Sequence, residues 1–161
     1  MNLWPPFLFS GIKITDLPED FLSATVRLRL RWWNRNVAGV LFGGSLFAMT
    51  DPFWMMLLLR HLGKENVIWD RAAEIDFIKP GKGDVVAHFA ITEADIERLR
   101  KAAAGGAKVL EWFTVEVRDS SGDVVARVRK QVYLRRKRDL PAAGSPAGSA
   151  TLPPLPDQAV R

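Results

Sequence analysis

The 161-residue chain contains no cysteine, which excludes disulfide bonds, a thiol nucleophile and thiolate-bound metal. Its two histidines, His61 and His88, are too few for a metal site built from several imidazoles. The formal net charge of +5 suits an anionic ligand but is too small to indicate nucleic-acid binding by itself. We therefore expect no metal ion, no cofactor bound in its own right and no nucleic-acid partner.

The chain also lacks a convincing targeting segment, because residues 1–12 have no basic region and carry Pro5-Pro6 where a signal peptide is apolar. Residues 41–59 are uncharged except for Asp51 and are long enough to reach across a bilayer. Asp51 and Pro52 lie at the centre of this stretch, however, where an aspartate costs about 2.5–3.5 kcal/mol on insertion. We expect a cytoplasmic protein without a membrane span.

The residues after 137 include few large apolar side chains that a core could bury. Residues 138–161 are rich in proline, alanine, glycine and serine, a composition that cannot form a core. The sequence therefore predicts one domain over residues 1–137, which begins with a short helical segment at 1–10, and a disordered tail over 138–161.

Within this domain, alternating apolar and polar residues predict strands on both sides of the central apolar stretch. The first two strands are predicted at 11–15 and 21–30, and the later elements are strands at 66–79, 84–92, 108–119 and 123–136 with a surface helix at 93–104. In the third strand, Trp69, Ala73, Ile75 and Phe77 are predicted to share one face. The order predicts an α+β fold in which one antiparallel sheet curls around one helix.

Pro52 is unfavourable inside the central helix, because it removes a hydrogen bond and costs about 3 kcal/mol. The helix is therefore predicted either to kink at Thr50-Asp51 or to restart with Asp51 as the cap of a second helical piece. Both alternatives place Asp51 where the backbone is irregular.

Gly43-Gly44 opens this helix, and Asp51 follows seven residues after Gly44. The first N–H groups of a helix lack intrahelical partners and can bind an oxygen that becomes negative. Asp51 could act as general base or nucleophile, and the Asn36 amide could orient a water molecule. Alternatively, Asp51 is only a helix cap, the glycines allow tight packing and Asn36 is a turn residue.

These residues resemble a motif of the hotdog-fold thioesterases, especially the phenylacetyl-CoA thioesterase-like branch. The motif has the form Asn-x-x-Gly-x-x-His-Gly-Gly with a later Asp, and its positions are filled here by Asn36, Gly39, Gly43, Gly44 and Asp51. The segments at 73–85 and 119–126 resemble later strands of the family. Phe42 stands where the motif has histidine, and Pro52 directly after the aspartate is also unusual.

The resemblance implies a hotdog fold and hydrolysis of acyl-CoA or an acyl-carrier thioester. The thioester carbonyl would lie against the Gly44 N–H, and Asp51 of the neighbouring subunit of a homodimer would activate water or attack the carbonyl. The expected catalytic residues are Asp51, Asn36 and Gly44, and the expected substrate-binding residues are Phe42, Gly43, Phe47, Trp54, Met55, Lys79 and Lys82.

Two other functions remain open at this point. A non-catalytic acyl-CoA-binding protein would have kept the fold and lost turnover with the histidine, and a dehydratase or hydratase would need a histidine near the glycines. Charged side chains alternate along the outer strand faces, so the dimer is predicted to form through the helix-edge side, with any tetramer built on polar contacts.

Overall fold

In a computed structural model that describes residues 1–137, the chain forms an antiparallel sheet around two short consecutive helices. The predicted tail lies outside the described residues. The helices are α1 (Pro5–Ser10), α2 (Gly43–Ala48), α3 (Phe53–Leu62) and α4 (Glu93–Ala103), with a 3-10 turn at Trp32–Asn34. The strands are β1 (Ile12–Asp16), β2 (Ser23–Leu28), β3 (Asn66–Phe77), β4 (Val85–Ala90), β5 (Val109–Asp119) and β6 (Val124–Arg136).

The six strands form one sheet in the order β1-β2-β4-β5-β6-β3, and every neighbouring pair is antiparallel. Its inner face packs on α3, where Phe53, Leu57 and Leu58 are buried in the same core as Phe89 and Val128. Burial of these apolar side chains is the main driving force for the arrangement. The structure confirms the predicted α+β hotdog fold, with a curled sheet around a central apolar helix.

The central helix is interrupted between Ala48 and Phe53. Met49 ends α2, Thr50 donates its hydroxyl to the Phe47 carbonyl oxygen, and Pro52 is the residue before α3. The predicted break near Asp51 is confirmed. The capping alternative is wrong, because no side chain caps the first turn of α3 and the Asp51 carboxylate turns elsewhere.

One prediction for β3 is wrong, because Trp69 does not share a face with Ala73, Ile75 and Phe77. The pairing with β6 shifts register between Asp70 and Ala72, and the extra residue at this bulge reverses the alternation. Ile68 is consequently buried, whereas Trp69 points outward and stacks on Tyr133 with ring centroids 4.5 Å apart. Asp70, the last residue before the bulge, shares the inner face with Asn66 and Ile68.

Candidate functional site

The Asp51 carboxylate projects from the break between α2 and α3. Its side chain is 60% exposed, and Oδ1 accepts a hydrogen bond from Lys130 Nζ at 2.6 Å. Among residues 1–137, no hydrogen bond is made to Oδ2, so this oxygen remains open to a ligand. The helix break thus separates the carboxylate from backbone capping and leaves one of its oxygens available for chemistry.

Lys130 lies on the inner face of β6, where its side chain is only 2% exposed. Its ammonium donates to three oxygens, namely Asp51 Oδ1 at 2.6 Å, the Asp51 carbonyl oxygen, and Asp70 Oδ2 at 2.8 Å. A lysine ammonium has three donors, so every one is used. A buried charge is costly unless it is paired and hydrogen-bonded in this way.

Asp70 is the second carboxylate of this cluster and comes from β3, directly before the bulge. Its side chain is 21% exposed, and its buried Oδ1 has no hydrogen-bond partner in the described chain. Burial raises the pKa of Asp70 above its usual range, although the hydrogen bond from Lys130 acts in the opposite direction. The site therefore holds two carboxylates around one ammonium.

Sequence reasoning missed Lys130 and Asp70. A signal for Lys130 was present, because the inner positions of β6 follow an alternation that it shares with Val128 and Val132. Among these inner positions of the strand, only residue 130 is charged. A single lysine on an otherwise apolar face indicates a buried partner of opposite charge.

Gly43 and Gly44 form the first turn of α2. The Phe42 carbonyl accepts from the N–H groups of Ser45 and Leu46, whereas those of Gly43 and Gly44 donate to no acceptor within the described residues. A Cβ at Gly44 would collide with the Phe42 ring, and one at Gly43 would lie 3.0 Å from the Phe77 ring. The glycines thus serve close aromatic packing and also leave two backbone donors free.

Two cavities flank this turn. One, of about 470 Å³, is lined by Asn36, Leu41, Gly43, Leu46 and Phe77, with the chain that follows β3. The other, of about 380 Å³, is lined by Phe9, Trp33, Phe42, Gly44 and their neighbours. Asp51 lines neither of these two cavities in the single chain.

Asn36 holds the loop before α2 in a turn. Its Oδ1 accepts from the N–H groups of Ala38 at 2.9 Å and Val40 at 3.3 Å. The alternative that Asn36 is a turn residue therefore accounts for its side-chain oxygen. Its amide NH₂ is the end that remains for a ligand in the cavity beside Gly43.

The predicted acyl-binding residues are not brought together. Trp54 lies in the core and stacks on Phe113 with ring centroids 4.7 Å apart, which leaves no open face for a substrate. Phe47 and Met55 are half-buried and pack against the same core. The apolar surface near the glycines comes instead from Leu41, Leu46 and Phe77.

The two predicted basic residues differ in their surroundings. Lys79 binds Asp119 at 2.7 Å and Asp123 at 2.6 Å, and these hydrogen bonds raise the pKa of its ammonium. Lys82 is exposed and lines a cavity of about 410 Å³ together with Lys79 and Ser120. An anionic group at this place would meet Lys82 directly and would compete with two aspartates for Lys79.

In residues 1–137, no cluster of three or more histidine, aspartate or glutamate side chains is arranged to hold a metal ion. None of the helices in this part of the chain has the length and apolar character needed to cross a bilayer.

Comparison with known proteins gives a family match and a set of similar folds. The sequence pattern of DUF4442, described as a domain of unknown function, matches residues 1–134. No curated protein matches the chain.

Three solved structures illustrate the shared fold. PA5026 of Pseudomonas aeruginosa, described as a protein of unknown function and probable thioesterase, is 22% identical over 80% of this chain and 85% of its own, with a TM-score of 0.72. Thioesterase HI1161 of Haemophilus influenzae is 12% identical over 84% and 85%, with a TM-score of 0.61. AziG of S. sahachiroi is 20% identical over 84% and 99%, with a TM-score of 0.62.

Proposed function

The chain belongs to the DUF4442 family, and from this premise we propose that it hydrolyses an acyl thioester, with acyl-CoA as the first substrate to test. The observation that carries the proposal is the Asp51 carboxylate, which is exposed at a helix break and held there by a buried lysine. A carboxylate held by a buried charge partner at the edge of a hydrophobic core is typical of a functional site. The thioesterase names of two proteins with the same fold support this class of reaction.

The active form is a homodimer in this proposal. Strand β3 is twelve residues long and lies at the edge of the sheet, with Phe77 59% exposed near its end. An edge strand presents unpaired backbone N–H and C=O groups, which are a template for pairing with another chain. Because Asp51 lines neither cavity beside the glycines of its own chain, a partner subunit is the natural source of the carboxylate for each site.

In the proposed reaction, the thioester carbonyl oxygen accepts a hydrogen bond from the Gly44 N–H. Asp51 Oδ2 takes one proton from a water molecule as the water oxygen attacks the carbonyl carbon. The backbone donor stabilises the negative oxygen of the tetrahedral intermediate. The C–S bond then breaks, and the thiolate leaving group receives the proton.

The remaining candidates have binding roles in this proposal. The acyl group would occupy the cavity beside Gly43 and contact Leu46 and Phe77, while the Asn36 amide would orient the attacking water. Lys82, with Lys79, would meet the phosphates of CoA.

The test is thiol release from a panel of acyl-CoAs that includes short, long and phenylacetyl groups. Asp51→Asn should lower kcat at least about 100-fold for any accepted substrate, because it removes the base and keeps the shape. Asp16→Asn is the matched control, because this aspartate is exposed on β1. Unchanged turnover in Asp51→Asn would remove Asp51 from the mechanism.

Phe42 favours a second candidate function, a non-catalytic acyl-CoA-binding protein. Its ring lies against Gly44, next to the free N–H that the hydrolase needs. Calorimetry with the same acyl-CoAs separates the two functions, because binding without thiol release by the wild type favours the binding protein.

A further inference from the structure

We propose that Lys130 is a positioning residue that fixes Asp51 in the conformation from which it acts. This inference rests on the proposed function, in which Asp51 acts as the general base. Lys130 is in β6, whereas Asp51 lies 79 positions earlier at the helix break. The contact therefore joins the sheet to the one irregular point of the central helix.

The hydrogen-bond pattern explains how one ammonium fixes the carboxylate. Lys130 Nζ binds Asp51 at two places, the carbonyl oxygen of the main chain and Oδ1 of the side chain. A donor shared between these two acceptors restricts the side-chain torsion that joins them. One carboxylate oxygen is thereby held inward, and Oδ2 is directed toward the exposed side of the group.

Lys130 itself is not placed to contact a substrate. Its three donors are already used, and its side chain is 2% exposed. A buried ammonium with no free donor can act on the reaction only through the groups that it holds. This distinguishes Lys130 from Lys79 and Lys82, which lie at the surface.

Asp70 binds the Lys130 ammonium from the side opposite Asp51. It binds Lys130 at 2.8 Å from β3, so the ammonium is held between a strand and the helix break. Asp70 faces inward because it alternates along β3 with the buried Asn66 and Ile68, and the bulge follows directly after it. We infer that Asp70 anchors Lys130, as Lys130 anchors Asp51.

The experiment compares Lys130→Met with the double variant Lys130→Met/Asp70→Leu. The single change leaves Asp70 without its cation, which can impair folding. The double change removes the cation together with its anchor, and replacement of a buried ion pair by apolar residues is often neutral or stabilising. Lys101→Met, an exposed position on α4, is the matched control.

If Lys130 positions Asp51, the double variant should fold with a near-wild-type melting temperature and still lose about 10–100-fold in kcat, with KM changed less than about 2-fold. In the Asp51→Asn background, Lys130→Met should cause no further loss. A double variant that is stable and has wild-type kcat would reduce Lys130 to a packing role and overturn the inference.

If the wild type releases no thiol from any acyl-CoA, the proposed function is wrong. A double-mutant cycle of unfolding free energies then tests separately whether Lys130 fixes Asp51. Urea unfolding of wild type, Asp51→Asn, Lys130→Met and the pair measures whether the two changes are coupled. Coupled changes would support a fixed Asp51. Additive changes would overturn the inference whatever the activity.

Discussion

At the scale of single residues, the Asp51–Lys130–Asp70 cluster is the most specific feature of the molecule. It brings together three ionisable groups from a helix break and two strands, and its central member is almost fully buried. Such a cluster contributes little net stability, because desolvation offsets the attraction between the charges. A role in the proposed chemistry of Asp51 would explain the cluster better than a contribution to stability.

Asp70 makes the stability of the protein depend on pH. Because burial raises its pKa, the folded chain keeps this proton to higher pH than the unfolded chain, whose carboxyl has the ordinary value of 3.8. The unfolding free energy therefore falls as pH rises from the ordinary value through the raised one. Asp70→Asn has no proton to lose, so its stability relative to wild type should increase over this window.

Urea unfolding between about pH 4 and about pH 7.5 measures this difference. Asp16→Asn is the control, because it makes the same substitution at an exposed position of β1. A stability difference between Asp70→Asn and wild type that stays constant with pH would contradict the prediction.

At the scale of elements, much of the fold could be predicted because it depends on local patterns. The alternation of apolar and polar residues predicts a strand at 21–30, and the structure confirms it as β2, which buries Ala24 and Val26. The surface helix predicted at 93–104 is confirmed as α4, whose start is fixed by a capping box between Thr92 and Asp95. Each of these signals lies within a few residues of the structure that it specifies.

The errors come from contacts between distant elements. The bulge in β3 depends on how this strand pairs with β6, and nothing near Trp69 announces the extra residue. Lys130 and Asp70 are 60 positions apart, so their pairing becomes visible only once the sheet is assembled. That Trp54 contacts a substrate stays a prediction, and its side chain lies in the core, stacked on Phe113.

At the scale of the whole molecule, the free edge of β3 is the surface on which the proposed dimer depends. If two copies pair through it, light scattering should give twice the chain mass of 18.0 kDa. Ala72→Lys places a like charge in each copy along this exposed edge, opposite Gln131 and away from Lys130, which should shift the protein toward monomer. Thiol release should fall with the dimer fraction, because each site then lacks the carboxylate of its partner.

The matched control for this experiment is Thr15→Lys, which adds the same charge to β1 at the opposite edge of the sheet. It should leave both the mass and the turnover unchanged. A wild-type protein that remains strictly monomeric at all concentrations would exclude the shared site.

The two kinds of lysine also give the protein two responses to ionic strength. Lys130 is shielded from solvent, so dissolved ions screen its bonds to Asp51 and Asp70 only weakly. Lys79, with a side chain 33% exposed and its aspartates near the surface, is open to screening, as is Lys82. If the surface lysines bind the phosphates of CoA as proposed, added sodium chloride should raise KM for acyl-CoA and leave kcat nearly constant. Steady-state kinetics across a series of sodium chloride concentrations measures both constants. A fall in kcat that accompanies the rise in KM would contradict the prediction.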